Sequence, residues 1–196
     1  MGCLLALILC AVPATASAGG VRLGAEFGYT RHMRGGDLNG LGGIVYVGQS
    51  FASGLVLDGQ VGVHHNWHES GWVLDALGTA YLKTRLQVTS VPILVGGRYH
   101  LPGSILVPYL GAHVGVAAVR SSGSLGDINA EPDLEVDFAF NLGAGIDVAA
   151  GEKWAVGFGV WYLMILAGET EQVAGVGVTR QHDRLVTLTL HVRFDL

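Results

Sequence analysis

Residues 184–196, RLVTLTLHVRFDL, alternate almost without a break: Val186, Leu188, Leu190, Val192, Phe194 and Leu196 are apolar. Thr187, Thr189, His191, Arg193 and Asp195 fill the places between, and Leu185 is the single exception. A period of two is that of an extended strand with one oily and one polar face. The same device recurs upstream. In 21–29, Val21, Leu23, Ala25, Phe27 and Tyr29 oppose Arg22, Gly24, Glu26 and Gly28. In 55–64, Leu57, Val61 and Val63 oppose Asp58, Gln60, Gly62 and His64. Segments 91–101, 109–119, 136–148 and 154–162 repeat it, and 43–51 is apolar on both faces, so its register is open. The count is about eight strands, and no stretch has the 3.6-residue period of a helix.

The connections add a second regularity. Short ones (Ala52-Ser53-Gly54, the neighbourhood of Pro102-Gly103-Ser104, and Ala150-Gly151-Glu152-Lys153) alternate with long polar ones, roughly 30–42, 65–85, 120–134 and 167–183. An up-and-down barrel with tight turns on one rim and elaborated loops on the other has this form. The expected fold class is therefore all-β, an eight-stranded antiparallel up-and-down transmembrane β-barrel.

Whether the apolar face points in or out is decided by what opposes it. A soluble barrel covers its outside with Lys and Glu, yet only 14% of this chain is charged and 31 of its 196 residues are glycine. Ten of those glycines, among them Gly24, Gly96, Gly111, Gly143 and Gly159, lie on the polar face. Glycine is a poor solvent-facing strand residue but suits a crowded barrel interior. The apolar face then meets lipid, which only a closed barrel can cross with strands. The remaining inward groups balance: Arg22, Arg98 and Arg193 against Glu26, Asp58, Asp137 and Asp147, with His64, His113 and His191 among them. Buried charge must be paired, so these residues are expected to form a lumen charge network that plugs the barrel. Trp154 and Tyr162, eight residues apart on one strand, are candidates for the two membrane interfaces.

At the start of the chain, an apolar run from Leu4 to Ala11 precedes Ala16-Ser17-Ala18. This has the form of a secretory signal peptide over 1–18, with the barrel domain at 19–196. About twelve apolar residues are too few to span a bilayer as a helix. Both cysteines, Cys3 and Cys10, fall in that segment, so no disulfide is expected in the mature chain. The net charge of −5 excludes the basic stripe of a nucleic-acid binder.

The stretch VTSVPILVGGRYHLPGSILVPYLGAHVGVAAV, 88–119, resembles the strand–turn–strand centre of the small outer-membrane β-barrel domains of Gram-negative bacteria, the OmpA, OmpX and opacity-protein type. That resemblance implies localisation in the cell outer membrane, contact with outer-membrane lipid, and a final strand read by the assembly machinery. Val192, Phe194 and Leu196 match the alternating signal, with Leu where the family pattern ends in an aromatic.

Three candidate chemistries stand beside a structural or surface-interaction role. His64-His65-Asn66-Trp67-His68-Glu69-Ser70 contains the elements of a Ser–His–Glu hydrolase, and His-x-Ser with a nearby carboxylate resembles lipid A deacylases. In those enzymes the motif lies on a late strand, which here has no His-x-Ser. The histidines His64, His65 and His68 could also ligate a metal, and a narrow OmpW-like pore for small apolar molecules is the third. The expectation is of a protein without catalysis, cofactor or metal. It could contact an extracellular ligand through its long loops.

Overall fold

The structure is a computed structural model that describes residues 18–33, 38–74, 81–125, 128–166, 170–173, 176–179 and 183–196. Of the region read as a signal peptide, 1–18, residues 1–17 lie outside the described residues and Ala18 opens the first strand. The described residues form ten strands: β1 (Ala18–His32), β2 (Asn39–Phe51), β3 (Leu55–Leu74), β4 (Tyr81–His100), β5 (Leu106–Leu125), β6 (Ile128–Ala149), β7 (Trp154–Leu166), β8 (Thr170–Val173), β9 (Val176–Thr179) and β10 (Asp183–Asp195). Eight close an antiparallel barrel in the order β1-β10-β7-β6-β5-β4-β3-β2, while β8 and β9 pair only with each other.

The pairing register fixes the shape. Followed from partner to partner, Arg31 leads through Val186, Tyr162, Leu142, Ala112, Gly97, Leu57 and Gln49 back to β1 at Val21, ten residues from the start. A shear of ten over eight strands, at about 3.3 Å per residue and about 4.8 Å between strands, tilts the strands by about 40° and gives a backbone radius of about 8 Å. At that tilt the outward apolar residues from Val21, Leu101 and Trp154 at one rim to Leu41, Val63 and Phe138 towards the other span about 25 Å, the height of a barrel's apolar band, and on β6 exposed apolar residues continue beyond it at Val136 and Leu134.

The faces fall as the alternation requires. On β10 Leu188, Leu190 and Val192 are exposed, and Thr187, Thr189 and His191 are buried. The open register of 43–51 resolves with Leu41, Val45 and Val47 outward and Gly42, Ile44 and Tyr46 inward. Gly54, in the tight turn between β2 and β3, has φ of +84°, a conformation that favours glycine.

The long connections are a correction. Of the stretch expected as a loop at 65–85, the described residues 65–74 and 81–85 are strand, and of 120–134 the described residues 120–125 and 128–134 are strand. Beyond the membrane both faces of a strand meet water, so the hydrophobic alternation stops while the hydrogen-bonded ladder continues. Strands β3 to β6 consequently stand higher than the rest. Among the described residues, β2 pairs with β3 as far as Asn39 opposite Trp67, and β7 with β6 as far as Leu166 opposite Phe138.

Candidate functional site: the occluded lumen

Two ion clusters and an apolar layer fill the interior. The central cluster forms around Arg98 on β4. Its guanidinium donates from Nη1 to Glu26 Oε1 on β1 at 2.6 Å, and Nε lies 3.0 Å from Asp58 Oδ2 on β3. The other Glu26 oxygen accepts from Trp161 Nε1–H at 2.7 Å and from the Thr189 hydroxyl at 3.1 Å. His113 Nε2 lies 2.7 Å from Asp58 Oδ1. The guanidinium also sits 3.8 Å over the Tyr46 ring and 4.9 Å from Trp161, where cation–π attraction in a dry site adds to the pairing. Glu26, Asp58, Arg98, His113 and Trp161 are all buried.

The second cluster lies towards the short-turn rim around Asp147 on β6. His191 Nε2 is 2.6 Å away, His100 Nε2 is 3.3 Å away, and Arg193 pairs with the same carboxylate. Asp195 joins Arg193 at 3.4 Å and Arg22 at 2.6 Å. Tyr109 separates the two clusters, with ring centroids 5.4 Å from His100, 5.6 Å from His191 and 6.1 Å from Trp161. Of the seven charges read from the sequence, the structure brings Glu26, Asp58 and Arg98 into one group and Arg22, Asp147 and Arg193 into the other. Asp137 faces inward near the opposite end of β6, away from both.

Sequence reading missed the inward aromatics. Tyr46, Tyr109 and Trp161 occupy the space that the inward glycines leave. A Cβ on Gly111 would lie 2.6 Å from the Trp161 ring, and one on Gly159 would lie 2.5 Å from the Tyr109 hydroxyl. Gly24 opposite Tyr46 and Gly143 opposite Trp161 leave still less room. Parity along the strand was the available signal, since Trp161 shares its face with Gly157 and Gly159.

Also missed was the apolar layer towards the long-connection end. Leu94, Ala117, Val119, Ala139, Leu163, Ile165 and Leu185 form one buried cluster inside the barrel. Leu185, the exception to the opening alternation, belongs to it. Between this layer and the central ion cluster lies a cavity of about 10 Å³, bordered by Gln60, His64, Asn141 and Thr187 among others. That is room for about one water.

The remaining candidates separate. His64 faces inward and is buried, whereas His65 lies on the other face, 2.8 Å from Thr89 Oγ1 and stacked near Trp67. Strand alternation thus splits the histidines that a loop could have gathered, and among the described residues no three His, Cys, Asp or Glu converge as a metal site. The side chains of Glu69 and Ser70 lie outside the described set, although their backbone belongs to β3. Trp154 is exposed at the short-turn rim, its ring 4.7 Å from Phe194. Tyr162 is half-buried on the outward face near the other rim. Val192 and Leu196 are exposed, and Phe194 is half-buried.

Comparison with solved structures finds the same fold. Neisserial surface protein A superposes with a TM-score of 0.57 and 18% identity, covering 91% of this chain and 99% of that one. Ail, the attachment invasion locus protein of Yersinia pestis, superposes with a TM-score of 0.52 and 12% identity, covering 90% and 99%. No curated protein matches by sequence. The outer membrane protein beta-barrel domain family matches residues 1–181. The closed eight-stranded barrel with its lipid-facing belt is thus a member of that family, a protein of the outer membrane.

Proposed function

We propose that this protein is a closed, non-catalytic barrel that acts through its surface: it supports the outer membrane and makes contacts through its long-connection rim. In this reading both chain ends are periplasmic and the tall strands β3 to β6 stand outside. Its partners are outer-membrane lipid, the assembly machinery that reads the last strand, and an extracellular ligand held by the connections; nucleic acid and cofactors play no part. The observation that carries the reading is the filled lumen. Ion pairs, aromatics and the apolar layer occupy successive levels of a barrel only about 8 Å in backbone radius, which leaves no room for a continuous aqueous path.

Planar-bilayer recording of the purified protein tests this, with no reproducible conductance steps expected. Steps would make the protein a pore. For catalysis, cells carrying the wild type and Ser70→Ala are compared by mass spectrometry of lipid A, with identical acylation expected. An acyl chain that is lost with the wild type and retained with the variant would make the protein a deacylase.

A further inference from the structure

Among the described residues, three buried polar atoms without a hydrogen-bond partner in the protein belong to residues that border one cavity: Gln60 Nε2, His64 Nδ1 and Asn141 Oδ1. None of the three residues is more than 4% exposed. Gln60 and His64 share the inward face of β3, and Gly62 between them leaves the interval to the cavity. Asn141 reaches the same cavity from β6, three strands away around the sheet. Both amides sit on a boundary. Gln60 is the register partner of Tyr46 on one side and of Leu94 on the other, and Asn141 that of His113 and Leu163. Each therefore has a member of the central cluster as one neighbour and a leucine of the apolar layer as the other.

The direction of these groups decides what the cavity can hold. Gln60 Oε1 accepts from Arg98 Nη2 at 3.4 Å. A guanidinium only donates, so the amide nitrogen is the end of Gln60 left for the cavity. Asn141 offers an acceptor, and the imidazole nitrogen donates or accepts according to its tautomer. A cation would meet the Gln60 N–H groups, and an anion would meet the Asn141 carbonyl oxygen. A small neutral molecule that both donates and accepts suits all three, and a volume of about 10 Å³ admits only one the size of water. Buried groups left unpaired would lose their hydration without return.

We propose that this cavity is a binding site for one structural water, which accepts a hydrogen bond from Gln60 Nε2 and donates one to Asn141 Oδ1, with His64 Nδ1 as its third partner. The water ties β3 to β6 across the lumen and holds the Gln60 amide against Arg98. The ion cluster and the apolar layer then meet without an unpaired polar seam between them. The site does not rest on what the barrel's surface binds.

A crystal structure of the full barrel at a resolution that shows ordered water is the test. One peak is expected within about 3.2 Å of both Gln60 Nε2 and Asn141 Oδ1. In micelles, water-selective cross-relaxation in NMR should reach the Gln60 side-chain amide protons. Asn141→Leu should abolish both signals and raise the unfolded-to-folded ratio in urea about tenfold, the cost of a stranded buried group. Ser90→Ala should keep both, because the Ser90 hydroxyl is likewise buried and unpartnered but does not border the cavity. Heat-modifiable migration reads the folding of each variant, and the wild-type density decides alone where a variant does not fold. A cavity that is dry and takes up xenon, the behaviour of an apolar void, overturns the proposal. So does a folded Asn141→Leu barrel that keeps the Gln60 cross-relaxation.

Discussion

Arg98 and Glu26, on strands β4 and β1, are 72 residues apart in the chain and meet across the lumen at 2.6 Å, both buried. Neither strand is the other's neighbour in the sheet, so the pair ties opposite walls through the interior. Removing Arg98 leaves the buried Glu26 carboxylate with only the neutral donors Trp161 and Thr189, and removing Glu26 leaves the buried Arg98 with Asp58, a carboxylate it shares with His113. Glu26→Gln and Arg98→Met should each destabilise the folded barrel by about 3–5 kcal/mol, measured as urea unfolding in micelles. The double variant should cost clearly less than both together, because Asp58 retains His113 when Arg98 is gone.

Glycine at 143 is a matter of space. Gly143→Ala sets a methyl against the Trp161 ring, which also donates to Glu26, so the change should cost about 1–3 kcal/mol by overpacking. Tryptophan fluorescence should report the displaced ring, and adding Trp161→Leu should recover part of the loss.

The outer face is set by lipid. Phe158, 58% exposed at mid-height on β7, should not tolerate a charge. Phe158→Arg should cost about 2–4 kcal/mol in a bilayer. Gly151, in the β6–β7 turn with nothing near its would-be Cβ, should accept Arg at almost no cost. Fractions folded into vesicles measure both.

Leu163 lies in the apolar layer at 2% exposure. Leu163→Ala should leave a cavity costing about 2–5 kcal/mol, and a Leu94→Ala, Leu163→Ala pair should admit water to the layer. Hydrogen exchange of the β7 and β4 amides beside it checks this, with faster exchange expected there than in β1.

Phe194 shares the short-turn rim with Trp154. If the last strand is the assembly signal, Phe194→Ala should slow appearance of the heat-modifiable form in cells several-fold while changing the final stability little. A normal rate with a less stable barrel would assign Phe194 to packing alone.

Much of the barrel was legible because lipid imposes a strict rule on one face of every strand, and the rule shows even where the other face varies. Strand lengths were not, because the rule lapses above the headgroups: Trp67 and Gln87 pair in the same ladder as Val61 and Ile93 but carry no alternation to announce it. The charges of the lumen could be named from parity, yet their division into two clusters depends on the shear, which brings Arg98 to Glu26 across the barrel and leaves Asp137 apart. Tyr46, Tyr109 and Trp161 were hidden in runs apolar on both faces, GIVYVG, VPYLG and VWYLM, where hydrophobicity says nothing about direction. Leu185 looked like a lapse in a pattern and is part of the apolar layer.

That layer and the ion clusters sit at different heights, which gives the molecule two separable properties. Water entering from the short-turn rim can hydrate Arg22, His100 and Asp195 without passing the hydrocarbon septum beyond Trp161. In the closed-barrel reading proposed above, the seal resides in one half of the barrel and the ion pairing in the other, so evolution can alter the charges nearest the short-turn mouth without opening a leak.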